Sequence, residues 1–144
     1  MKVENYAFSE CPLLNKIYIP SSAKIGEYVF NKCEMITLLN GMEIINSQLF
    51  YGSSLLTKIT IPSSVTSIKK SAFDICSKLT QVIIPNSVTK IGKSAFNMCS
   101  SLKQVSISTS VIEIKEMAFG FCESLKNITI PSSVKLIDKF AFYH

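Results

Sequence analysis

Arginine and tryptophan are absent from the 144 residues, and histidine occurs once, as the last residue. The formal net charge of +5 therefore comes from fifteen lysines against ten carboxylates. The guanidinium fork of arginine is the usual reader of base edges and phosphates, and exposed aromatic rings stack on single strands. We therefore do not expect a chain with neither arginine nor tryptophan to bind nucleic acid.

Motifs for catalysis, cofactors and metals are also missing from the sequence. A nucleophilic Ser, Thr or Cys needs an adjacent base, and the one histidine lies at the chain end. The ten carboxylates are scattered, no glycine-rich phosphate-binding motif occurs, and the five cysteines never form a C-x-x-C pair. We predict a protein that is not an enzyme and that holds no cofactor or metal.

Long apolar runs are missing too. No window approaches the eighteen or so apolar residues of a membrane span, and the first fourteen residues lack the apolar core of a signal peptide. We expect no membrane insertion and a soluble chain as given, while a signal or anchor outside this sequence stays open.

A phenylalanine recurs along the whole chain at nearly constant spacing. KSAFDICSKL at 70–79 returns as KSAFNMCSSL at 93–102. Cysteine follows the phenylalanine by three residues in all but one of the first six cases, where Ser53 replaces it. The recurring phenylalanines, spaced by 22, 20, 23, 23, 23 and 23 residues, are Phe8, Phe30, Phe50, Phe73, Phe96, Phe119 and Phe142.

The full repeat reads LxxIxIPxSVxxIxxxAFxxC, as in LTKITIPSSVTSI at 56–68. Ile-x-Ile with a period of two predicts a short strand with one buried face, and the following proline ends it. The V-x-x-I segment predicts extended chain or a second short strand, and the Ala-Phe segment one turn of helix. Each unit has apolar residues that it cannot bury alone, so we predict stacked units with Phe on Phe and Ile on Ile.

This pattern resembles the BspA-like leucine-rich repeat family over residues 5–143. The resemblance implies a single leucine-rich-repeat solenoid over residues 1–144. Its six to seven right-handed coils would be mainly β, with parallel strands and short helical or 3₁₀ turns. Members of the family are surface or secreted proteins of bacteria and protists that bind host matrix proteins or neighbouring cells. The resemblance therefore favours a secreted or cell-surface location, while a cytoplasmic one remains open.

Two features depart from a regular array. Between Ile36 and Phe50 about three residues are missing, which we place in the corner between the two strands, with Asn40-Gly41 as a tight turn. The solenoid should be irregular around 36–50. The sequence also starts and stops halfway through a unit without a polar cap, which favours a fragment of a longer array over ends that pair with another copy.

The cysteines occupy one repeat position and should form a buried column. Neighbouring coils bring equivalent residues within disulfide range, but side chains in register point parallel to one another. We expect free, buried cysteines, and an occasional disulfide stays open. The residues concerned are Cys11, Cys33, Cys76, Cys99 and Cys122.

The strand residues that alternate away from the core are the candidate protein-binding residues. We expect them to form one continuous sheet face; the alternative is that they are solvated residues chosen for their β-propensity. A lysine ridge (Lys69, Lys70, Lys93, Lys115 and Lys139) is most simply a solvated edge. The predicted binding residues are Lys16, Tyr18, Lys58, Thr60, Gln81, Ile83, Gln104, Ser106, Asn127 and Thr129.

Three functions remain open from the sequence alone. The first is a protein-binding module in cell-surface adhesion to a host or matrix protein. The second is an intracellular scaffold or regulatory subunit that uses the same face, and the third is a self-assembling structural array that associates through uncapped ends. Asn127-Ile128-Thr129 is a glycosylation sequon that matters only in a secreted chain. The partner itself is not encoded in any motif.

Overall fold

The computed structural model describes residues 1–39 and 41–143, which form short parallel strands joined by turns, without a helix in this part of the chain. The predicted turn at Asn40-Gly41 lies partly outside the described residues. The strands are β1 (Lys2–Val3), β2 (Lys16–Ile17), β3 (Lys24–Ile25), β4 (Met35–Leu38), β5 (Ile44–Ile45), β6 (Lys58–Thr60), β7 (Ser67–Ile68), β8 (Gln81–Ile83), β9 (Lys90–Ile91), β10 (Gln104–Ser106), β11 (Glu113–Ile114) and β12 (Leu136–Ile137).

The strands build two parallel sheets of five strands each, and β1 and β3 form a separate parallel pair. The first sheet has the order β10-β8-β6-β4-β2, and the second has the order β12-β11-β9-β7-β5. In the regular part of the chain, partners are 23 residues apart, as for Val82 with Val105 and Ile91 with Ile114. Successive coils therefore stack in register, which confirms the predicted leucine-rich-repeat solenoid.

A column of stacked phenylalanine rings runs through the interior. Neighbouring ring centroids lie 4.9 to 5.8 Å apart, with the ring planes at most 21° from parallel. The five interior rings are fully buried, as are the isoleucines that recur on the second sheet, Ile45, Ile68, Ile91 and Ile114. The predicted Phe-on-Phe stacking is thus confirmed. The offset-stacked arrangement is one that aromatic pairs favour beyond simple burial of area.

The segment around each phenylalanine forms hydrogen-bonded turns, where the sequence predicts one turn of helix. Residues two before and two after the phenylalanine have left-handed backbone, with φ of 51–62° at twelve non-glycine residues and 65° at Gly52. Most of their N–H groups donate to the next coil, as from Ser71 to Lys93 O (2.9 Å) and from Ile75 to Asn97 O (2.9 Å). These bonds between coils offset a conformational cost of about 1–2 kcal/mol per residue. We call this side of the solenoid the turn face.

The cysteine column supplies a further link between coils. The Cys99 Sγ–H donates to the carbonyl of Phe73 in the preceding coil at 3.2 Å, and the same carbonyl accepts the Cys76 N–H at 3.3 Å. The Ser53 hydroxyl makes the equivalent bond to Phe30 O at 2.8 Å, which explains why serine can replace cysteine there. All five cysteines are free, as we expect from side chains in register. Four of them are buried as predicted, whereas Cys11 in the first coil is only partly buried.

The shortened coil differs from the prediction. Ile36 pairs with Ile59 and Ile45 pairs with Ile68, so the corner between these strands has its full length. Phe30 and Ile36 are six residues apart, whereas Phe50 and Ile59 are nine residues apart. The missing residues therefore lie before β4, and our placement of them in the corner is wrong. A deletion anywhere in the coil shortens the distance in sequence between Phe30 and Phe50 by the same amount. The Phe spacing therefore does not show where in the coil the deletion lies.

The consequence of this deletion is a slip in register between β2 and β4. The repeat pattern equates Ile17 with Ile36, but Ile17 pairs with Leu38, two residues further along. A two-residue slip keeps each side chain on its own face, whereas a slip of one residue would exchange the faces. In the second sheet, β3 does not pair with β5, and a cavity of about 150 Å³ opens between residues 20–25 and 42–46.

Replacing Phe96 by alanine should cost about 3–5 kcal/mol of unfolding free energy, because it leaves a cavity in the middle of the ring column. Phe96 is fully buried between Phe73 and Phe119, at centroid distances of 5.0 and 5.3 Å. Leu13→Ala is the control, since Leu13 is 92% exposed and should change stability by less than about 0.5 kcal/mol. Urea unfolding measures both, and equal effects would contradict the role of the column.

Candidate protein-binding surface

The exposed side of the first sheet carries rows of side chains that cross the strands. One row contains Lys58, Gln81 and Gln104, which the pairing of β6, β8 and β10 places side by side. A second row contains Lys16, Thr37 and Thr60 on β2, β4 and β6. Because each strand places alternate side chains on opposite faces, both rows point away from the buried isoleucines. We call this surface the strand face.

All ten predicted binding residues are exposed. Lys16 lies beside Thr37 and Thr60, where the repeat pattern alone would place it level with Lys58. The sequence reasoning missed Thr37, which a gap placed directly after Cys33 would have aligned with Thr60. Seven of the ten residues lie on strands of the first sheet, namely Lys16, Lys58, Thr60, Gln81, Ile83, Gln104 and Ser106.

Tyr18 directly follows β2 and is 59% exposed. Its ring lies over Gly41, where an added Cβ would be 2.7 Å from Tyr18 Cε2 and 2.8 Å from the carbonyl oxygen of Ile19. Gly41 also has a φ of 146°, a conformation that side chains rarely adopt. Glycine is therefore required here for the ring of Tyr18 to reach its position on the surface.

Asn127 and Thr129 do not extend the sheet, so the predicted continuous face ends at β10. In the preceding coil the Lys103 N–H donates to Thr80 O at 2.9 Å. Between β10 and residues 126–130, both fully described, no equivalent backbone bond forms. A groove of about 490 Å³ opens instead, lined by 104–106 and 127–129. Residues 126–130 have the residue pattern of a strand, but they lack the ladder of backbone hydrogen bonds to β10 that would make them one.

Carboxylates pair with most of the predicted lysine ridge. Glu116 contacts Lys93 at 2.8 Å and Lys139 at 3.7 Å, and these lysines lower the pKa of its carboxyl. Lys115 contacts Glu113 at 3.0 Å, and Lys90 contacts the same carboxylate at 2.9 Å, which lowers the pKa of Glu113. Exposed pairs of this kind add little stability, but they neutralise part of the charge of the ridge.

The buried titratable groups have environments that suit structural roles. Burial raises the pKa of the Cys33 and Cys99 thiols, so both remain protonated donors at neutral pH. Asp74 is 8% exposed and accepts a hydrogen bond from Asn97 Nδ2 at 2.9 Å, while burial raises the pKa of its carboxyl. Across 1–39 and 41–143, no three His, Cys, Asp or Glu side chains cluster as metal ligands would.

A helix of membrane-spanning length and hydrophobicity does not occur among the described residues.

The sequence profile described as the BspA type leucine rich repeat region matches residues 1–110 and 34–144, in six copies. The chain belongs to the BspA-type leucine-rich repeat family. No curated protein matches this family member.

Solved structures of leucine-rich repeat proteins are similar to this BspA-type chain. A protein from Bacteroides ovatus is 33% identical over 98% of this chain, with a TM-score of 0.82, and one from T. pallidum is 30% identical over 94%, with a TM-score of 0.80. A leucine rich cell surface protein from Faecalibacterium prausnitzii is 33% identical over 98%, with a TM-score of 0.77. The chain spans 38%, 66% and 39% of these three proteins.

Gly41→Ala should destabilise the protein by at least about 2 kcal/mol, because the new Cβ meets the backbone of Ile19 and the φ of Gly41 suits only glycine. The matched control is Gly52→Ala. Gly52 has a φ of 65°, and its nearest atom would be 3.2 Å away. Other coils hold side chains there, so we expect only the cost of a side chain in the left-handed region, about 1 kcal/mol. Equal losses in urea unfolding would contradict this account.

Asp74→Asn should gain stability relative to the wild type as pH rises. The folded-state pKa of Asp74 is raised by burial above its unfolded value of about 3.9. Ionisation of Asp74 therefore lowers the stability of the folded wild type, and this loss is complete above the folded-state pKa. Below the unfolded-state pKa the carboxyl is protonated in both states and the loss disappears. The advantage of the variant should be largest at pH 7 and shrink as pH falls to about 4. A difference in unfolding free energy that does not change between these pH values would contradict it.

Proposed function

We propose that this protein is a protein-binding module that recognises its partner through the strand face. The observation that carries the proposal is the pair of exposed rows, which a rigid ladder of backbone bonds holds at fixed spacing. Rigid display lowers the entropy lost on binding, because the partner contacts side chains that are already positioned. No side chain in these rows needs to do chemistry.

The chemistry of the strand face suits a polar protein partner. Amide and hydroxyl groups predominate, and Lys16 and Lys58 supply the charges. Tyr18 and Ile83 add apolar side chains that are 59% and 61% exposed. Non-obligate interfaces combine such polar groups with a few aromatic or aliphatic anchors. Tyr18 is the side chain best placed to be an anchor, because the contact with Gly41 fixes its ring.

Cell-surface adhesion to a host or matrix protein is the specific role that we propose for this module. It is supported by the similarity to a protein described as a leucine rich cell surface protein from Faecalibacterium prausnitzii. An intracellular scaffold that uses the same face is the second candidate. Its supporting observation is that all five cysteines are free, as is usual in reducing compartments. The location of the native protein in fractionated cells distinguishes the two roles.

The test of the strand face is the triple variant Lys58→Glu, Gln81→Glu and Gln104→Glu, which places three carboxylates in one row. We expect at least a tenfold loss of binding to a panel of purified extracellular-matrix proteins, measured by biolayer interferometry. Like-charge crowding and unpaired carboxylates at the interface would both oppose association.

The control is Lys69→Glu with Lys70→Glu, two exposed positions away from the strand face. Both variants lower the net charge by four, so a general electrostatic effect would weaken binding equally. Retention of binding in the control and its loss in the triple variant supports the proposal. Unchanged binding by a folded triple variant would refute the choice of surface, and no binding to any matrix protein would refute the adhesion role.

A further inference from the structure

The second sheet is interrupted at one contact between coils in the middle of the chain. In every other described contact on this side, a backbone N–H donates across the sheet, as from Lys69 to Ile45 O at 2.9 Å. The equivalent donor in the coil of β4 and β5 is Asn46, yet no backbone bond joins residues 20–25 to residues 42–46, all of which are described. We call the contact between the coil of β2 and β3 and the coil of β4 and β5 the open junction.

The phenylalanine column shows a tilt at the open junction. The ring planes of Phe30 and Phe50 meet at 21°, whereas every other pair of neighbouring rings in the column lies within 10° of parallel. The two ring centroids stay 5.0 Å apart, so the contact is kept while its angle changes. The cavity of about 150 Å³ lies on the second-sheet side of the same junction. A tilt together with an opening on one side is what a wedge between two coils produces.

The other two sides of the open junction are bonded. In the first sheet, the Leu39 N–H donates to Ile17 O at 2.9 Å. On the turn face, the Tyr28 N–H donates to Gln48 O, also at 2.9 Å. A coil that is bonded to its neighbour on two sides and free on the third can rotate about the bonded sides, because this rotation breaks no backbone bond.

Water can satisfy the backbone groups that lack a partner at the open junction. The cavity is lined by polar residues, among them Ser21, Glu43 and Asn46. Its volume of about 150 Å³ far exceeds the roughly 10–15 Å³ that one water molecule requires. A hydrogen bond to water replaces one within the protein at a small net cost. An open state and a paired state of the second sheet therefore differ little in free energy.

We propose that the open junction is a hinge, about which the coils before β4 rock against the coils after it. The shortened coil creates this hinge. The residues missing before β4 shift β2 on β4 by two positions, and β3 no longer pairs with β5. Closing brings β3 and β5 to the pairing distance of about 4.8 Å, and opening widens the wedge. The hinge is a property of the fold and goes beyond the proposed function.

A hinge at this junction divides the strand face. Lys16 and Tyr18 lie before the open junction, whereas the row of Lys58, Gln81 and Gln104 lies entirely after it. Rocking keeps that row rigid but changes its angle to the two earlier residues, since the first sheet is one of the bonded sides about which the coils turn. The strand face then follows surfaces of different curvature.

The test is the distance between two nitroxide labels, measured by pulsed electron paramagnetic resonance in frozen solution. One pair is attached at Lys24→Cys and Thr89→Cys, exposed positions separated by three contacts between coils, of which one is the open junction. The control pair, Glu43→Cys and Ile112→Cys, spans three bonded contacts of the same sheet. Cys11→Ser removes the partly buried native cysteine, and the other four cysteines are buried.

We expect the distance distribution of the first pair to be roughly twice as wide as that of the control pair, because only the first pair spans the hinge. Insertion of Ser-Ser-Leu between Cys33 and Glu34 copies residues 100–102 and restores a full coil. It should narrow the first distribution to the width of the control.

Equal widths for the two pairs in the chain without the insertion would overturn the proposal, whether or not the insertion variant folds. A folded insertion variant that keeps the wide distribution would also overturn it, because the shortened coil would then not be the cause of the motion. Neither result depends on a binding partner, so failure of the hinge is separable from failure of the proposed function.

Discussion

The carbonyls of the column phenylalanines in the middle of the chain are the junctions on which the solenoid depends. Each of Phe30, Phe50, Phe73 and Phe96 accepts the N–H of the residue three positions later and the side-chain donor of the cysteine or serine in the following coil. The ring of the same residue stacks on its neighbours, so one residue joins the hydrogen-bonded and the apolar parts of each contact between coils. The strained turns on either side persist because these carbonyls and the adjacent N–H donors hold them.

A ladder held in this way leaves two surfaces free to vary. The strand face presents side chains that alternate away from the core, and the turn face presents the positions beside the phenylalanine column. Since the backbone is the same in every coil, the fold does not decide which residues occupy the exposed positions of these two surfaces. The strand face is the one that we propose as a recognition surface.

The regular features of the structure follow from the sequence because they repeat. Spacing of Phe73, Phe96 and Phe119 by 23 residues predicts the ring column, and the shared position of the cysteines predicts a free, buried column. The register of β2 on β4 does not follow from the sequence. The repeat pattern shows that residues are missing from the coil, but the pairing of the shortened coil is set by its contacts with the neighbouring coil. The left-handed positions carry no glycine signature, since hydrogen bonds between coils compensate their strain.

The end of the first sheet could not be predicted for a related reason. Residues 126–130 have the strand pattern, and the second sheet continues past them with β11 paired to β12. A pattern describes which side chains a strand would bury, whereas pairing depends on how closely the neighbouring backbone approaches. The groove at Asn127 is therefore visible only in three dimensions.

Amide hydrogen exchange tests most directly the claim that contacts between coils hold the structure. The N–H groups of Phe50, Phe73 and Phe96 donate to the next coil at 2.8 Å and should exchange only through global unfolding. The N–H groups of residues 126–130, which lack such partners on β10, should exchange much faster. Equal protection of both sets, or rapid exchange at the three phenylalanines, would contradict the account.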